Sequence, residues 1–414
     1  KSGIWKSGNE VNSKIENRFE GFETLYAKTK SFDSLIKPKI DLKIVLDQVQ
    51  LNLNWTDEYY KNSNSLDNFS YNDLNEVILK SQKLSKNKIK NRLLYKNQRA
   101  IITDEKGNII VYSIEDQSII LKYNFYKKKF KKIKKNLNII VEKNIIFIGD
   151  NFGYLYALDH VSKKLLWAKN YKVPFRSNLK IIGQTLLISD INNSLYFIDK
   201  LSGNKLNMLP TEDTIIKNNF FNSLALIKNS IFYLNTYGSL YSINNNRQIN
   251  WFLNLKQSLE EDSTNLFFSN PIALYEDKVI ISSDPYLYIL NSDTGSTISK
   301  IAITSMFKPI ISGKNIFLIT KDNLLVCLNL NTGSVIYSVE VNQEIANYLE
   351  TKKKSIDIKS MSLINDRLFL FLNNSFLVQF SLNGKVENIK KLPAKLGSLP
   401  IFIDDSMIYL NNNN

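Results

Sequence analysis

The stretch GYLYALDHVSKKLLWAKN, from Gly153 to Asn170, contains the only histidine of the chain and one of its four tryptophans. Six other stretches share its pattern, so it is one copy of a repeat. The equivalent positions in the seven copies are Tyr112, Tyr156, Tyr196, Tyr241, Tyr288, Val326 and Val378, with spacings of 44, 40, 45, 47, 38 and 52 residues. A period of roughly 40–50 residues is typical of propellers and other repeat architectures.

Each copy has the pattern of short antiparallel strands. An apolar run such as NIIFIG is followed by a polar turn such as GDNFGY, then by a strand such as LYALD, a second turn and a last strand. Asp and Asn side chains bond to their own backbone in such turns, and Gly accepts a positive φ. We therefore predict an all-β fold, an eight-bladed β-propeller of four-stranded antiparallel blades.

The seven copies cover roughly residues 90–395, and GSLPIFIDDSMIYLNNNN at the end supplies two strands of an eighth unit. IVLDQVQLNLNW (Ile44–Trp55) places Leu-Asp at its third and fourth positions and Trp at its twelfth, as YALDHVSKKLLW (Tyr156–Trp167) does. We predict that Ile44–Trp55 pairs with the C-terminal strands and closes the ring, with Leu51–Trp55 as an outer strand.

The chain divides into two predicted regions. Residues 1–40 lie outside the repeat as a tether with a short helix over Ile15–Ser31, and residues 41–414 form a single propeller domain. Residues 56–90 are expected to be a long connection plus the first strand of the first blade. Glu344–Lys359 is an insertion that could form a short helix and accounts for the 52-residue spacing.

Composition excludes several kinds of site. A single cysteine, Cys327, excludes an intramolecular disulfide and a multi-cysteine metal site, and a single histidine excludes a His-rich metal site. The net charge of +15 favours anionic partners. The run KKKFKKIKK (Lys127–Lys135) is interpreted as a solvated loop, with anionic lipid head groups or an acidic partner as alternatives. No nucleic-acid interface is predicted.

The residue types that could carry chemistry fit structural roles. His160 is expected to be a turn residue, Trp167 and Trp251 to pack between neighbouring blades, and Cys327 to be a small buried side chain. Five aspartates precede the third strands in hairpin turns: Asp104, Asp150, Asp190, Asp284 and Asp322. We therefore predict no catalytic, cofactor-binding or metal-binding residues.

The repeat LYALD…W resembles that of the quinoprotein-type (PQQ-like) β-propellers and, within them, the BamB family, over roughly residues 40–414. LNLNWTDEYY matches the tryptophan motif before the first blade of that family, and LYSINNNRQINW and VCLNLNTGS match its repeat. Several blades depart from the pattern by lacking its tryptophan, with Tyr123, Met208, Ser299 and Tyr337 near its place.

The resemblance implies a non-enzymatic scaffold subunit of the outer-membrane β-barrel assembly machinery, without cofactors. Such a protein sits on the periplasmic face of the outer membrane, anchored by a lipidated cysteine that would lie outside this chain. It binds the periplasmic repeat domain of the barrel-inserting protein. We expect it to present a rigid face to this partner and to unfolded outer-membrane protein chains, with strand pairing as one mode.

Two long connections are candidates for that binding face, Met208–Ser223 and Leu255–Pro271. By resemblance, the loops between the third, fourth and fifth blades meet the barrel protein. The predicted partner-binding residues are Ile215, Ile216, Lys217, Phe220, Phe221, Glu260, Glu261 and Asp262.

Two alternatives remain open at this point. The first is a quinoprotein-like enzyme or ligand-binding propeller, which would require convergent carboxylates in the central channel. Dehydrogenases of that type use a pair of adjacent cysteines, which one cysteine excludes, and a bound calcium. The second is a cytoplasmic scaffold.

Overall fold

The computed structural model describes residues 32–74, 76–89, 92–126, 130, 132–214, 220–256 and 267–411. Within them lie thirty strands, grouped into seven four-stranded antiparallel sheets and one two-stranded sheet, and one helix. The predicted helix over Ile15–Ser31 falls outside the described residues.

The sheets are numbered here as blades in chain order. Blade 1 consists of β1 (Leu94–Lys96), β2 (Arg99–Thr103), β3 (Asn108–Ser113) and β4 (Ser118–Asn124). Blade 2 consists of β5 (Leu137–Glu142), β6 (Ile145–Asp150), β7 (Tyr154–Asp159) and β8 (Lys164–Asn170). Blade 3 consists of β9 (Lys180–Ile182), β10 (Thr185–Ser189), β11 (Leu195–Asp199) and β12 (Lys205–Leu209). Blade 4 consists of β13 (Ser223–Ile227), β14 (Ser230–Leu234), β15 (Ser239–Asn244) and β16 (Ile249–Asn254).

The remaining blades follow the same order. Blade 5 consists of β17 (Ala273–Tyr275), β18 (Lys278–Ser283), β19 (Tyr286–Asn291) and β20 (Thr297–Ile301). Blade 6 consists of β21 (Ile310–Ser312), β22 (Asn315–Ile319), β23 (Leu324–Asn329) and β24 (Val335–Glu340), followed by α1 (Val341–Tyr348). Blade 7 consists of β25 (Ile358–Ile364), β26 (Arg367–Leu372), β27 (Phe376–Phe380) and β28 (Val386–Lys391). Blade 8 consists of β29 (Ile401–Ile403) and β30 (Ser406–Ile408).

The prediction of an all-β, eight-bladed propeller is confirmed. All seven repeat positions lie in the third strands of their blades: β3, β7, β11, β15, β19, β23 and β27. The insertion after blade 6 contains the expected short helix, which begins at Val341, three residues earlier than predicted. No described helix is long and apolar enough to cross a membrane.

Apolar burial joins each blade to the next. Separate clusters of buried side chains connect blades 2 and 3, 3 and 4, 4 and 5, 5 and 6, and 6 and 7. A further cluster combines Phe369 of blade 7, Ile401 of blade 8, Leu94 of blade 1 and Ile146 of blade 2. The first and last blades therefore share one hydrophobic core, because the apolar faces of these sheets pack against one another away from water.

Two tryptophans seal the seams between blades, as predicted. Trp167 donates from Nε1 to the Lys200 carbonyl at 3.1 Å, and its ring covers Gly203 in the β11–β12 turn of the next blade. Trp251 repeats the arrangement one blade further, since its Nε1 lies 2.9 Å from the Ser292 carbonyl and its ring covers Gly295. These side chains are structural.

The segment before blade 1 follows a different path from the predicted one. Trp55 pairs with Tyr95 in β1, and β1 begins at Leu94, after the 56–90 connection rather than within it. Contact with the C-terminal hairpin does occur, because Asp404 donates its backbone N–H to the Asn52 carbonyl at 2.8 Å. The prediction that Leu51–Trp55 forms an outer strand is wrong, because Trp55 is held by the first strand of blade 1.

Candidate functional site

Residues 55–71 form a channel plug. Its backbone hydrogen-bonds to the first strands of blades 1, 2, 4, 5 and 7, through Tyr95, Val141, Leu226, Leu274 and Leu363. One short segment can contact the first strands of so many blades only where those strands converge. The first strands are therefore the inner ones, and the plug lies in the central channel that they surround.

The plug contains a buried ion pair that reaches blade 3. Lys180 Nζ lies 2.6 Å from Asp57 Oδ2, and the two side chains are 0% and 4% exposed. Lys180 also donates to the Lys61 carbonyl at 2.8 Å. Burial lowers the pKa of Lys180, and the Asp57 carboxylate opposes this effect. Removing one partner of such a pair leaves a charge without compensation in the interior, so the pair holds the plug in one position.

A second group of charges surrounds Glu58. Arg92 Nη1 donates to the Glu58 carbonyl at 3.3 Å, and the guanidinium lies 4.9 Å from the Tyr59 ring centroid. Lys308 Nζ donates to the Tyr59 carbonyl at 3.3 Å. Burial raises the pKa of Glu58 to about 7, although Arg92 opposes this shift. Burial, with repulsion from Arg92 and Lys180, lowers the pKa of Lys308 well below its usual value.

Aromatic side chains fix the other end of the plug. The Phe69 ring, fully buried, lies 5.0 Å from Tyr60, 5.5 Å from Trp55 and 5.6 Å from Phe402 of β29. Aromatic pairs at these distances contribute stability beyond their buried area. The plug was missed in the sequence, but a signal exists. A solvated connection has no need of the aromatic residues at positions 55, 60, 69 and 71.

All five aspartates lie at the turns between the second and third strands, as predicted, and Asp104, Asp150 and Asp190 bond to the turn backbone there. Asp150 Oδ1 accepts backbone N–H groups of Phe152 and Tyr154 at 2.9 and 2.8 Å, and Asp104 and Asp190 make the same pair of bonds. Asp284 instead forms an exposed ion pair with Lys321 at 2.6 Å. In blade 6 the position equivalent to Asp150 belongs to Thr320, whose hydroxyl accepts the Leu324 N–H at 3.1 Å, and not to Asp322. The described residues contain no group of three or more metal-ligating side chains.

His160 and Cys327 are both buried. His160 lies in the β7–β8 turn as predicted, but its Nδ1 is 3.2 Å from Arg99 Nη1. Burial and the nearby Arg99 lower the pKa of His160, which favours the neutral imidazole. Cys327 is confirmed as a small buried side chain, and burial raises the pKa of its thiol to about 12. A thiol with so high a pKa is a poor nucleophile.

The structure brings the two predicted connections together at one end of the propeller. Phe220, between blades 3 and 4, has its ring 5.2 Å from that of Phe268, between blades 4 and 5. Phe268 is 59% exposed, and Tyr237 in the adjacent β14–β15 turn is also exposed. We call Phe220, Tyr237 and Phe268 the loop face. Of the other predicted residues, Phe221 is half-buried nearby, whereas Ile215, Ile216, Lys217, Glu260, Glu261 and Asp262 lie outside the described residues.

A polar network supports the loop face. Glu212 accepts hydrogen bonds from Asn235 Nδ2 at 3.1 Å, Ser239 Oγ at 3.0 Å and Tyr241 OH at 2.7 Å. These bonds tie the connection after blade 3 to blade 4. Sequence reasoning missed Glu212, because its partners come from a different blade and only the fold brings them together.

The basic run is only partly solvated. Lys134 is exposed and lies 3.6 Å from Glu105, but Lys135 is buried and donates from Nζ to the Ile133 carbonyl at 2.8 Å. Burial lowers the pKa of Lys135. Lys127–Lys129 and Lys131 fall outside the described residues. The interpretation as a solvated loop is therefore wrong for Lys135.

Comparison with known families identifies the repeat. The family model described as outer membrane protein assembly factor BamB matches residues 131–339, just over half of the chain. The chain belongs to the BamB family. The matched range contains both connections that meet at the loop face, whereas the channel plug precedes it. The sequence matches no curated protein.

Solved structures share the fold at low identity. BamB from Moraxella catarrhalis is 13% identical with a TM-score of 0.61, over 78% of this chain and 93% of that one. A quinohemoprotein alcohol dehydrogenase from Comamonas testosteroni is 9% identical with a TM-score of 0.62, over 86% and 76%. A europium-containing methanol dehydrogenase is 10% identical with a TM-score of 0.60, over 86% and 88%. These likenesses show the propeller fold alone.

Proposed function

We propose that this chain is a non-enzymatic scaffold subunit of the outer-membrane β-barrel assembly machinery. It acts on the periplasmic face of the outer membrane and binds the periplasmic repeat domain of the barrel-inserting protein through the loop face. The observation that carries the proposal is the family match, which includes the two connections that form this face.

The loop face has the properties of a protein-binding surface. It presents Phe268 and Tyr237 to solvent beside Phe220. Aromatic side chains at the centre of an interface contribute much of its binding energy, and a rigid scaffold reduces the entropy lost on association. The Glu212 network and the packed blades below supply that rigidity.

The channel plug argues against the alternative of a quinoprotein-like enzyme. Residues 57–65 occupy the channel, and their carbonyls are bonded to Lys180, Lys308, Leu226 and Leu274. A planar quinone and its metal would need the space that this segment fills. The carboxylates of Asp57 and Glu58 face lysine and arginine side chains, which is the wrong environment for binding a cation. The residues present do not fit such a cofactor.

The proposal includes a membrane anchor and clients. By family, the anchor would be a lipidated cysteine in a segment outside this chain. The clients would be unfolded outer-membrane protein chains passing the propeller.

The test is co-purification from a detergent-solubilised envelope with this chain as bait. We expect a barrel protein with periplasmic repeats to be recovered, and to be lost with the double variant Phe220→Asp, Phe268→Asp, because two buried charges would oppose the interface. The matched control is Leu201→Asp, which places a charge at a residue 69% exposed in the β11–β12 turn, at the opposite end of the propeller.

Recovery of the propeller alone, at low salt and in mild detergent, would contradict the scaffold function. Equal loss with the Leu201 control would contradict the location of the face. In the first case, a rise in melting temperature with quinone and calcium would support the enzyme alternative.

A further inference from the structure

The outer edge of blade 6 is paired with the chain's own N-terminal side. Ile36 donates its backbone N–H to the Ser338 carbonyl of β24 at 3.0 Å, and Ser338 donates its own N–H to the Ile36 carbonyl at 2.9 Å. The pairing is antiparallel. The Ser338 hydroxyl also donates to the Ser34 carbonyl. Residues 32–36 therefore add a short fifth strand to this blade.

This pairing makes β24 different from the other outer strands. None of its six residues is exposed, and Ser338 is 1% exposed. In β12, the outer strand of blade 3, four of five residues are exposed. Outer strands of a propeller present unpaired backbone groups, and a segment that covers such an edge satisfies them.

A side chain adds specificity to the backbone pairing. Phe32 packs against the buried cluster between blades 5 and 6, and its N–H donates to the Ala302 carbonyl at 3.1 Å. Phe32 and Ile36 lie four residues apart, so they occupy the same side of an extended strand. Leu35, on the other side, is exposed.

The added strand is held more weakly than the strands inside a blade. Asp33 to Lys37 are all exposed, and Pro38 ends the ladder because it has no N–H to donate. In its bonds to Ser338 the added strand uses only backbone atoms, which any extended segment can supply. Only the Phe32 position requires a particular side chain.

We propose that the outer edge of blade 6 is a strand-acceptor site, closed in the free chain by Phe32–Ile36. Its partner is an extended protein segment with an aromatic residue at the position of Phe32. Such a segment replaces Phe32–Ile36 by strand addition, in which backbone bonds give affinity and the seam selects the aromatic side chain. This inference does not depend on the proposed function, because the loop face lies on other blades.

The test uses a fluorescent peptide with the sequence of Lys30–Ile40 and the full chain. The double variant Phe32→Asp, Ile36→Pro removes the seam contact and the Ile36 donor, and so opens the edge. By fluorescence anisotropy, we expect the peptide to bind this variant at least tenfold more tightly than the unaltered chain. Leu35→Asp is the matched control, because its side chain points away from the blade, and it should bind as the unaltered chain does.

Two further measurements locate the site. A peptide carrying the Ile36→Pro change should lose its affinity for the opened variant. Hydrogen exchange at the Ser338 amide should be faster in the opened variant and slow again when peptide is added. The proposal is overturned if the opened variant binds no more tightly than the unaltered chain, if the altered peptide binds equally, or if Ser338 exchange does not respond. No envelope protein takes part, so failure here is separate from failure of the scaffold function.

Discussion

The ionisation of Glu58 depends on the fold. In the unfolded chain its carboxyl is an ordinary one, with a pKa of 4.5, whereas in the folded chain the pKa is about 7. Burial is the main cause, and Asp57 adds repulsion between like charges. Arg92 and Lys180 act in the opposite direction without cancelling the effect. A proton is therefore bound more tightly by the folded state.

The pH dependence follows from this difference. Between pH 4.5 and about 7 the folded chain holds a proton that the unfolded chain releases, so the contribution to stability is full below pH 4.5 and is lost as the pH rises to about 7. We expect Glu58→Gln to remove about 3 kcal/mol of this decline. Urea unfolding of both proteins at pH 5 and pH 8 measures it. Parallel pH profiles of the two proteins would show that Glu58 titrates normally.

At the scale of single elements, the turn between the third and fourth strands of a blade is shaped by its neighbour. Gly203 has a φ of +69°, and an added Cβ would lie 2.5 Å from the Trp167 ring. Gly183, in the β9–β10 turn of the same blade, has a φ of +56° with no atom within 4 Å of such a Cβ. A comparison of substitutions at the two glycines therefore distinguishes the cost of backbone strain from the cost of a clash with the Trp167 ring.

We expect Gly203→Ala to destabilise the protein more than Gly183→Ala. Both changes place an L side chain in the left-handed region, at about 1–2 kcal/mol. Gly203→Ala also displaces Trp167, which adds about 1–3 kcal/mol for an overpacked site. Urea unfolding compares the stabilities, and Trp167 displacement should alter the near-UV circular dichroism. Equal losses of stability in the two variants would mean that Trp167 moves away from the added methyl group at no cost in free energy.

Across the whole molecule, the channel plug connects blades that are distant in sequence. The N–H groups of Val141, Leu226 and Leu274, in blades 2, 4 and 5, donate to plug carbonyls at 2.8–2.9 Å. Phe69 holds the plug against blade 8 through Phe402. The plug therefore contributes to the stability of several blades at once.

A plug variant should weaken those blades together. Phe69→Ala creates a cavity at a fully buried aromatic residue, and we expect a loss of about 3–5 kcal/mol. Hydrogen exchange at Val141, Leu226 and Leu274 should become faster in parallel. Phe252→Ala, at an exposed residue of β16, is the control and should change neither quantity much. Faster exchange in blade 8 alone would show that the plug does not couple the blades.

The predicted parts of the fold are those with local signals. Tyr156 and its six equivalents marked the third strands correctly because each blade forms its strands and turns from about 45 neighbouring residues. Trp167 and Trp251 were assigned correctly because each lies in the fourth strand of its blade, 10 or 11 residues after the repeat tyrosine. Trp55 shows the limit of this reasoning. Its local pattern matches that of Tyr156–Trp167, yet its partner is an inner strand, since nothing in the pattern encodes which strand edge is available.

The candidate site likewise has one part that local sequence signals predict and another that they do not. The lengths of two connections located the loop face, but the contact between Phe220 and Phe268 depends on how blades 3, 4 and 5 are placed around the ring. Blade number, strand order and turn chemistry follow from the order of residues because hydrophobic alternation and turn propensity act over short distances. The paths of residues 32–36 and 55–71 emerge only in three dimensions. Their hydrogen bonds join residues separated by tens to hundreds of positions, and such pairings leave no periodic pattern in the sequence.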